Sequence, residues 1–177
     1  MLVAIISDIH NNEVNLKKVL DYCHTQKIKN IVCCGDLASQ ETLDFLNDNF
    51  SGEIFYTFGN MDNEHLRNFK FVEKYKNTKL FRNFGETEIN GKKIAFIHYP
   101  EEAKELCGTG KYDFVFYGHT HKPWEEVITL HSSAKASGRQ CKILNPGNVA
   151  GEIYPPTFAV WNTENDQFEL IRIHNLE

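Results

Sequence analysis

Long hydrophobic runs are absent from this 177-residue sequence. Its apolar stretches stop far short of the roughly 20 residues that a membrane-spanning helix requires. The opening segment Met1–Ile6 is too short for a signal peptide, lacks basic flanking residues and is followed at once by Ser7 and Asp8. Linkers rich in proline, glycine or serine, internal repeats and low-complexity tracts are missing as well. We therefore expect one domain over residues 1–177, without membrane contact.

Positive charge is scarce: 19 lysines and arginines face 24 aspartates and glutamates, for a net charge of -5. An extended nucleic-acid groove needs clustered lysine and arginine, so this composition argues against one. A phosphate-bearing substrate stays compatible with the charge, because bound divalent cations reverse the sign of the field locally. Assembly into a homo-oligomer is neither required nor excluded.

Cysteine is infrequent, and its five copies show no CxxC spacing. An odd number of cysteines without such spacing fits a reducing compartment, so we expect a cytoplasmic protein. Cys33 and Cys34 are adjacent in a strand-like run, and their side chains should face opposite sides of a sheet. Both are expected to fill the core.

The first third of the chain alternates between apolar runs and amphipathic segments. The apolar runs predict three buried strands: Leu2–Ser7, Ile31–Cys34 and Ile54–Phe58. Two helices are predicted between them, one after Asn11 and Asn12 with the apolar stripe Val14, Leu16, Val19, Leu20 and Cys23, and one around Thr42–Leu46. This order implies parallel strands with right-handed crossovers, and hence an α/β fold.

The second half of the chain changes character. Asn90-Gly91 between two apolar runs is a strong hairpin signal, and a short helix over Glu101–Cys107 precedes the strand Phe114–Tyr117. Four more strand-like runs follow: Val127-Ile128, Lys142–Leu144, Thr157–Trp161 and Phe168–Ile173. The core should therefore gain antiparallel strands in this half.

Two short motifs carry paired candidate ligands, Asp8-Ile9-His10 and Gly118-His119-Thr120-His121. Residues i and i+2 of an extended backbone point to the same side, so each motif should aim both its side chains at one spot. Three further candidates each follow a strand-like run: Asp36, Asn60 and His98. Ligands bind at the carboxyl edge of open α/β sheets, so we predict a metal site there.

The donor set combines oxygens with imidazole nitrogens and contains no thiolate. It favours Mn²⁺, Fe or Zn²⁺, with Ni²⁺ or Co²⁺ as alternatives, over an all-oxygen Mg²⁺ or Ca²⁺ site. Seven ligands suit two ions that share a carboxylate; such ions lie about 3.5–4 Å apart and clamp a phosphoryl group. Taken alone, Asp8 could instead cap a helix and Asn60 could belong to an ordinary turn. A metal site is indicated by the occurrence of all seven candidates together, in order and each after a strand-like run.

The motifs Asp8-Ile9-His10, Gly35-Asp36, Gly59-Asn60-Met61-Asp62, His98 and Gly118-His119-Thr120-His121 resemble, as a set, those of the calcineurin-like metallophosphoesterase superfamily. The shortness of the chain and Asn145-Pro146-Gly147 resemble its small cap-less branch. That branch contains bacterial and archaeal phosphodiesterases and the eukaryotic retromer scaffold subunit. The resemblance implies a four-layer α/β/β/α sandwich of two mixed sheets flanked by helices, with two metals at the strand carboxyl ends.

The resemblance also implies a role for each site residue. One metal would take Asp8, His10, Asp36 and His121; the other would take Asp36, Asn60, His98 and His119, so that Asp36 bridges. A bridging hydroxide would attack phosphorus in line. The catalytic candidates are Asp36, Asn60, His98 and Asp62, and the substrate-binding candidates are Asn11, Asn12, Asn60 and Tyr99.

Two residues depart from the superfamily pattern. Met61 stands at the position of a histidine usually assigned to protonating the leaving group, which methionine cannot do. Asp62 and His65 are nearby groups that could substitute, and poor alkoxide leaving groups should be disfavoured. Tyr99 stands where the family often has glycine, and its ring could narrow the pocket or stack on a nucleobase or aryl group.

These motifs predict a metal-dependent phosphodiesterase acting on a small phosphate ester or nucleotide, with two divalent ions, Mn²⁺ foremost. A phosphomonoesterase or nucleotide pyrophosphohydrolase is the alternative with the same chemistry. A protein-binding scaffold like the retromer subunit is the alternative from another class. Retention of every ligand position weighs against the scaffold, because a scaffold has no chemical need for the ligands.

Overall fold

The computed structural model describes residues 1–64, 66–67, 74–130 and 138–177. Within these ranges, eleven strands form two sheets and three α-helices flank them. The strands are β1 (Leu2–Ile6), β2 (Asn30–Cys33), β3 (Glu53–Thr57), β4 (Thr78–Phe81), β5 (Gly85–Ile89), β6 (Lys92–Phe96), β7 (Phe114–Phe116), β8 (Trp124–Thr129), β9 (Gln140–Asn145), β10 (Thr157–Asn162) and β11 (Gln167–Arg172). The helices are α1 (Glu13–Thr25), α2 (Gln40–Asn49) and α3 (Pro100–Gly108).

Both sheets mix parallel and antiparallel pairs. The first has the order β11-β10-β1-β2-β3-β4, and its pairs from β1 to β4 are parallel. The second has the order β5-β6-β7-β9-β8, in which β6, β7 and β9 are parallel and the two outer strands run antiparallel to their neighbours. The carboxyl ends of β1, β2 and β3 therefore share one edge, as do those of β6 and β7.

The helices begin where the sequence supplies suitable first residues. Asn12 caps α1 by accepting a hydrogen bond from the Asn15 N–H at 3.0 Å, and Ser39 caps α2 in the same way through Thr42. Pro100 begins α3, where the missing N–H costs nothing. None of these helices in the described ranges is long and apolar enough to cross a bilayer.

Three clusters of buried side chains separate four layers. The first lies between α1 and α2 and one face of the first sheet, and it includes Leu16, Leu43 and Tyr56. The second lies between the two sheets and includes Phe96 and Trp161. The third packs α3 against the outer face of the second sheet. The predicted α/β/β/α sandwich is confirmed.

Several details agree with the sequence-based expectation, and others differ from it. Cys33 and Cys34 are buried on opposite faces of the first sheet, and Asn90 and Gly91 both have positive φ in the hairpin turn. The prediction that Val14 belongs to the apolar stripe of α1 is wrong, because its side chain is 73% exposed. Strand β4 was not predicted; it is a four-residue edge strand that contains a lysine.

A disulfide joins Cys107 of α3 to Cys141 of β9. The sequence did not predict it, because the two residues are 34 positions apart and only the packing of α3 on the second sheet brings them together. Disulfides are rare in cytosolic proteins, so this bond weighs against the reducing compartment that the cysteine count suggested. The cytoplasmic location stays a prediction.

We expect Gly85→Ala to destabilise the fold by about 1–3 kcal/mol, the usual cost of overpacking a core. A Cβ at Gly85 would overlap the ring of Phe96, which is fully buried against Phe55 and Phe81 and cannot move aside. Gly108→Ala is the matched control, since no described atom lies within 4 Å of a Cβ built there. Urea unfolding of both variants tests this; equal midpoints would contradict it.

Candidate metal centre

The seven predicted ligands all lie just beyond strand ends. Those of the first sheet follow β1 (Asp8, His10), β2 (Asp36) and β3 (Asn60), and those of the second follow β6 (His98) and β7 (His119, His121). Backbone hydrogen bonds hold the loops together. The N–H groups of Ile9 and His10 donate to the Asp36 carbonyl at 2.8 and 3.0 Å, and the Gly118 N–H donates to the His98 carbonyl at 3.1 Å. The His119 N–H donates to Asp8 Oδ2 at 3.1 Å and so joins the loops of the two sheets.

One group of side chains gathers around Asp8. His121 Nε2 lies 3.4 Å from Asp8 Oδ1. His10 Nε2 lies 3.9 Å from Asp8 Oδ1 and 3.4 Å from Asp36 Oδ2. We call Asp8, His10, Asp36 and His121 the first ligand set.

A second group gathers around Asn60. His98 Nε2 lies 3.0 Å from Asn60 Oδ1 and 3.2 Å from Asp36 Oδ2. His119 Nδ1 lies 3.0 Å from the same amide oxygen. We call Asp36, Asn60, His98 and His119 the second ligand set. Asp36 Oδ2 faces both sets.

The paired motifs reach these positions by a route that the sequence did not predict. Five of the seven ligands have positive φ: Asp8 (53°), His10 (46°), Asp36 (58°), His119 (67°) and His121 (59°). The backbone there is left-handed rather than extended, so the expected alternation does not apply. His119 turns toward Asn60 and His121 toward Asp8, and the expectation that this pair meets at one spot was wrong.

Each imidazole of the first set is oriented from behind by Glu152. Its carboxylate lies 2.8 Å from His10 Nδ1, and its backbone carbonyl lies 3.2 Å from His121 Nδ1. In the second set, the Cys34 carbonyl lies 2.9 Å from His98 Nδ1. All three partners can only accept, so each Nδ1 carries a proton, and in the neutral ring that binds metal each Nε2 offers its lone pair.

Glu152 could not be identified from the sequence, because it follows no apolar run and belongs to none of the recognised motifs. The available signal was weak: a carboxylate next to Gly151, a few residues beyond Asn145-Pro146-Gly147. The hydrogen bonds to two ligands come from the path of the loop, which only the fold defines.

The pKa shifts of the proposed ligands show that the electrostatic field at this site favours positive charge. The nearby carboxylate of Asp36, opposed by burial and reinforced by Glu152, raises the pKa of His10 to about 9. Asp8 raises the pKa of His121, and at His98 the effect of Asp36 outweighs burial, which alone would lower the pKa. Burial would raise the pKa of Asp36, but the neighbouring imidazoles of His10 and His98 hold it well below its usual range. Such a field attracts cations.

The residues present fit divalent metal ions. His10 Nε2 is buried and has no hydrogen-bond partner among the described residues, so its lone pair is left for a ligand from outside the chain. Two atoms that bind one ion at about 2.1 Å lie roughly 3–3.5 Å apart at common coordination angles. The separations within each set match this spacing, except the 3.9 Å between His10 Nε2 and Asp8 Oδ1. Asp8, His10 and His121 form one compact cluster, and Asp8, Asp36 and His98 form another.

Two glycines permit the close approach of the loops. A Cβ at Gly59 would overlap the carboxylate of Asp36, and a Cβ at Gly118 would overlap the side chain of Ser7 and come within 2.8 Å of Asp8 Oδ2. These positions therefore require glycine for lack of space rather than for backbone conformation. Any side chain there would push the carboxylates apart.

Asp62, a catalytic candidate, has another task in the structure. Its buried carboxylate accepts hydrogen bonds from the N–H groups of Asp36 (3.0 Å), Ala38 (2.8 Å) and Gly59 (2.6 Å). Burial raises the pKa of Asp62. The side chain ties the loops after β2 and β3 together and is occupied on both oxygens, so we infer a positioning role instead of proton donation.

Two substrate-binding candidates also have contacts within the protein. Asn12 uses both ends of its amide: Oδ1 caps α1, and Nδ2 donates to the Ala150 carbonyl at 2.9 Å. Both ends of the amide are thus engaged within the protein, and a substrate role for Asn12 stays a prediction. Asn11 is exposed beside His10, with Oδ1 accepting a hydrogen bond from Thr42 at 2.8 Å, and its role stays a prediction.

Met61 and Tyr99 lie beside the second set. The Met61 N–H donates to Asp36 Oδ1 at 2.7 Å, while its side chain is 54% exposed. The Tyr99 ring contacts the imidazoles of His98 and His119 edge-on, at centroid distances of 5.1 and 4.9 Å. His65, the other nearby group, lies outside the described residues.

A cavity of about 610 Å³ adjoins the second set. His98 and Gly59 contribute to its wall, with Tyr99 at their side. Apolar side chains such as Phe58 and Phe84 lie across from carboxylates of α3, Glu102 and Glu105. A group attached to a phosphate bound at Asn60 could extend into this space.

Comparison with known families gives one match that spans most of the chain. The family model described as calcineurin-like phosphoesterase superfamily domain matches residues 1–166. A curated phosphodiesterase of Methanocaldococcus jannaschii is 26% identical over 175 residues, covering 97% of this chain and 98% of its own length.

Solved structures share the fold. An archaeal phosphodiesterase superposes with a TM-score of 0.81 at 24% identity, covering 97% of this chain and 99% of its own. A phosphoesterase from E. coli gives a TM-score of 0.64 at 17% identity, over 98% and 100% of the two chains. Vps29 from Entamoeba histolytica gives 0.62 at 19% identity, over 97% and 99%.

Proposed function

The chain belongs to the calcineurin-like phosphoesterase superfamily, and we propose that it is a metal-dependent phosphodiesterase acting on small phosphate esters or nucleotides. The observation that carries this proposal is the position of Asp36 Oδ2, 3.4 Å from a nitrogen of the first set and 3.2 Å from one of the second. Two divalent ions held by these sets would lower the pKa of a water molecule and balance charge on the phosphoryl oxygens.

The side chains of the two sets would hold the ions, and Mn²⁺ suits their mixture of imidazole and oxygen donors best. Asp8 and Asp36 supply two negative charges at the centre of the site, and both are buried. Four imidazoles complete the donors without adding charge. The proposed sets thus offset half of the four positive charges of two divalent ions, which leaves a positive site for the phosphate of the substrate.

The cavity beside His98 favours diesters over monoesters as substrates. A diester carries a second organic group, and about 610 Å³ beside the second set provides room for it. Tyr99 lies where the ring could stack on an aryl group or nucleobase. The related protein of M. jannaschii is named a phosphodiesterase, which supports the same choice. We also propose that residues 1–177 act as one domain.

Metal removal and replacement test this function. Chelator-treated protein should lose activity on bis-p-nitrophenyl phosphate and regain it with Mn²⁺, because the proposed nucleophile is a water molecule whose pKa the metal ions lower. The kcat/KM for this diester should exceed that for p-nitrophenyl phosphate. His119→Ala should reduce activity by at least about 10²-fold, because losing even an outer partner that orients a metal ligand costs about 10–100-fold. His24→Ala, at an exposed histidine of α1, should not.

Three results would contradict the proposal. Activity that persists in chelator would exclude metal dependence, and a preference for the monoester would favour the phosphomonoesterase alternative. Protein that carries two metals per chain and yet hydrolyses no ester in a broad panel would favour the scaffold alternative.

A further inference from the structure

The loop between β9 and β10 returns to the first ligand set. Its Val149 and Ala150 N–H groups donate to the carbonyls of Ser7 and Asp8 at 3.0 and 2.9 Å. These bonds place the residues that follow, Gly151 and Glu152, directly behind the imidazoles of His10 and His121.

Asn148 fixes the conformation of this loop. Its side chain is fully buried, and Oδ1 accepts hydrogen bonds from the N–H groups of Gly151 and Glu152, the latter at 2.9 Å. Its Nδ2 donates to the carbonyls of His121 and Tyr154 at 3.2 and 3.3 Å. One buried amide therefore connects the backbone of Glu152 to the backbone of a proposed ligand.

The loop holds a strained conformation to reach this position. Gly151 has a φ of 81°, and Ile153, on the other side of Glu152, has a φ of 65°. Positive φ is a true outlier for a β-branched residue. Ile153 is 85% exposed, so buried packing of its own side chain does not explain the strain. Strain of this kind collects where a ligand is clamped.

Glu152 contacts both imidazoles of the first set and neither of those in the second. Oε2 accepts a hydrogen bond from His10 at 2.8 Å, and the backbone carbonyl lies 3.2 Å from His121 Nδ1. His98 is instead held by the neutral Cys34 carbonyl. A carboxylate behind an imidazole fixes its tautomer and strengthens it as a ligand more than a carbonyl does.

We propose that Glu152 is a positioning residue that sets the metal affinity of the first ligand set alone, by fixing the Nδ1–H tautomer and the ring orientation of His10. The inference rests on the proposed function, since it assumes that the first set binds a divalent ion. The two sets then differ in affinity, and the first depends on a side chain that is itself 56% exposed. A change at Glu152 would therefore alter the metal content of the first ligand set while every ligand stays in place.

Titration of chelator-treated protein with Mn²⁺, followed by calorimetry and by electron paramagnetic resonance, tests the proposal without an activity assay. Wild type should bind two ions. Glu152→Ala should weaken one binding event by about 10–100-fold, the usual effect of losing such a partner, and leave the other unchanged. Glu152→Gln, which can still accept the hydrogen bond, should lie between. Glu88→Ala, at an exposed glutamate on β5, is the control and should match wild type.

Activity adds a second readout that a purely structural role would not give. Hydrolysis by Glu152→Ala should recover as Mn²⁺ is raised, because the variant keeps every ligand and lacks only affinity. A Glu152→Ala titration that superimposes on wild type, or that weakens both events equally, would overturn the inference and leave the proposed function standing. Wild-type protein that binds no Mn²⁺ would overturn both.

Discussion

Asp36→Ala should abolish ester hydrolysis and remove both metal ions, whereas Asp8→Ala should mainly weaken one. Asp36 Oδ2 faces His10 at 3.4 Å and His98 at 3.2 Å, while the imidazole nitrogens nearest Asp8 Oδ1 are those of His121 and His10, both in the first set. Metal ions stabilise the transition state by several kcal/mol, and every 1.4 kcal/mol is tenfold in rate, so we expect a loss of at least about 10³-fold.

Elemental analysis and kcat/KM of each purified variant provide the measurement. Asp36→Asn refines it, because an amide can still accept the Met61 N–H bond that Asp36 Oδ1 receives at 2.7 Å while lacking the negative charge. Asp21→Ala, at an exposed aspartate that pairs with Lys17 on α1, is the control for general effects of charge removal. Near-normal metal content and turnover in Asp36→Ala would refute a shared carboxylate.

The position of the site at the strand ends could be predicted from the sequence for a physical reason. Apolar runs such as residues 2–6 and 30–33 are buried on both faces, and parallel strands end at one edge. The polar residues that follow them must therefore meet. The same reasoning could not find β4, since a short edge strand with Lys79 has no continuous apolar pattern.

The division of ligands between the two sets could not be derived from spacing. His119 and His121 diverge because both adopt positive φ, which nothing in their sequence requires. The family resemblance supplied that division. The rule that residues i and i+2 point to the same side applies to extended backbone and does not hold for these loops. The hydrogen bonds of Asp62 and Asn12 could not be derived from the sequence for a related reason: their partners, such as Ala38 and Ala150, are distant in sequence.

Met61→His should raise activity on esters with poor leaving groups by about 10²-fold or more, the lower end of what general acid catalysis contributes. Methionine has no proton to donate. Asp62 cannot substitute, since both its oxygens accept bonds from backbone N–H groups. The wild-type enzyme must then depend on the stability of the leaving group itself and should prefer aryl or nucleotidyl diesters to alkyl ones. The Met61 side chain is 54% exposed, so an imidazole there displaces no packed neighbour.

The slope of log kcat/KM against leaving-group pKa measures this directly for both proteins. Wild type should show a steep negative slope, because negative charge builds on a leaving oxygen that receives no proton. Met61→His should show a shallower slope, with its gain concentrated on alkyl esters and monoesters. Met61→Leu, similar in shape and without a proton, should keep the wild-type slope and so separates acid catalysis from packing. Because the Met61 N–H bond to Asp36 comes from the backbone, both variants retain it. A wild-type slope near zero while chemistry limits the rate would mean that another group donates the proton.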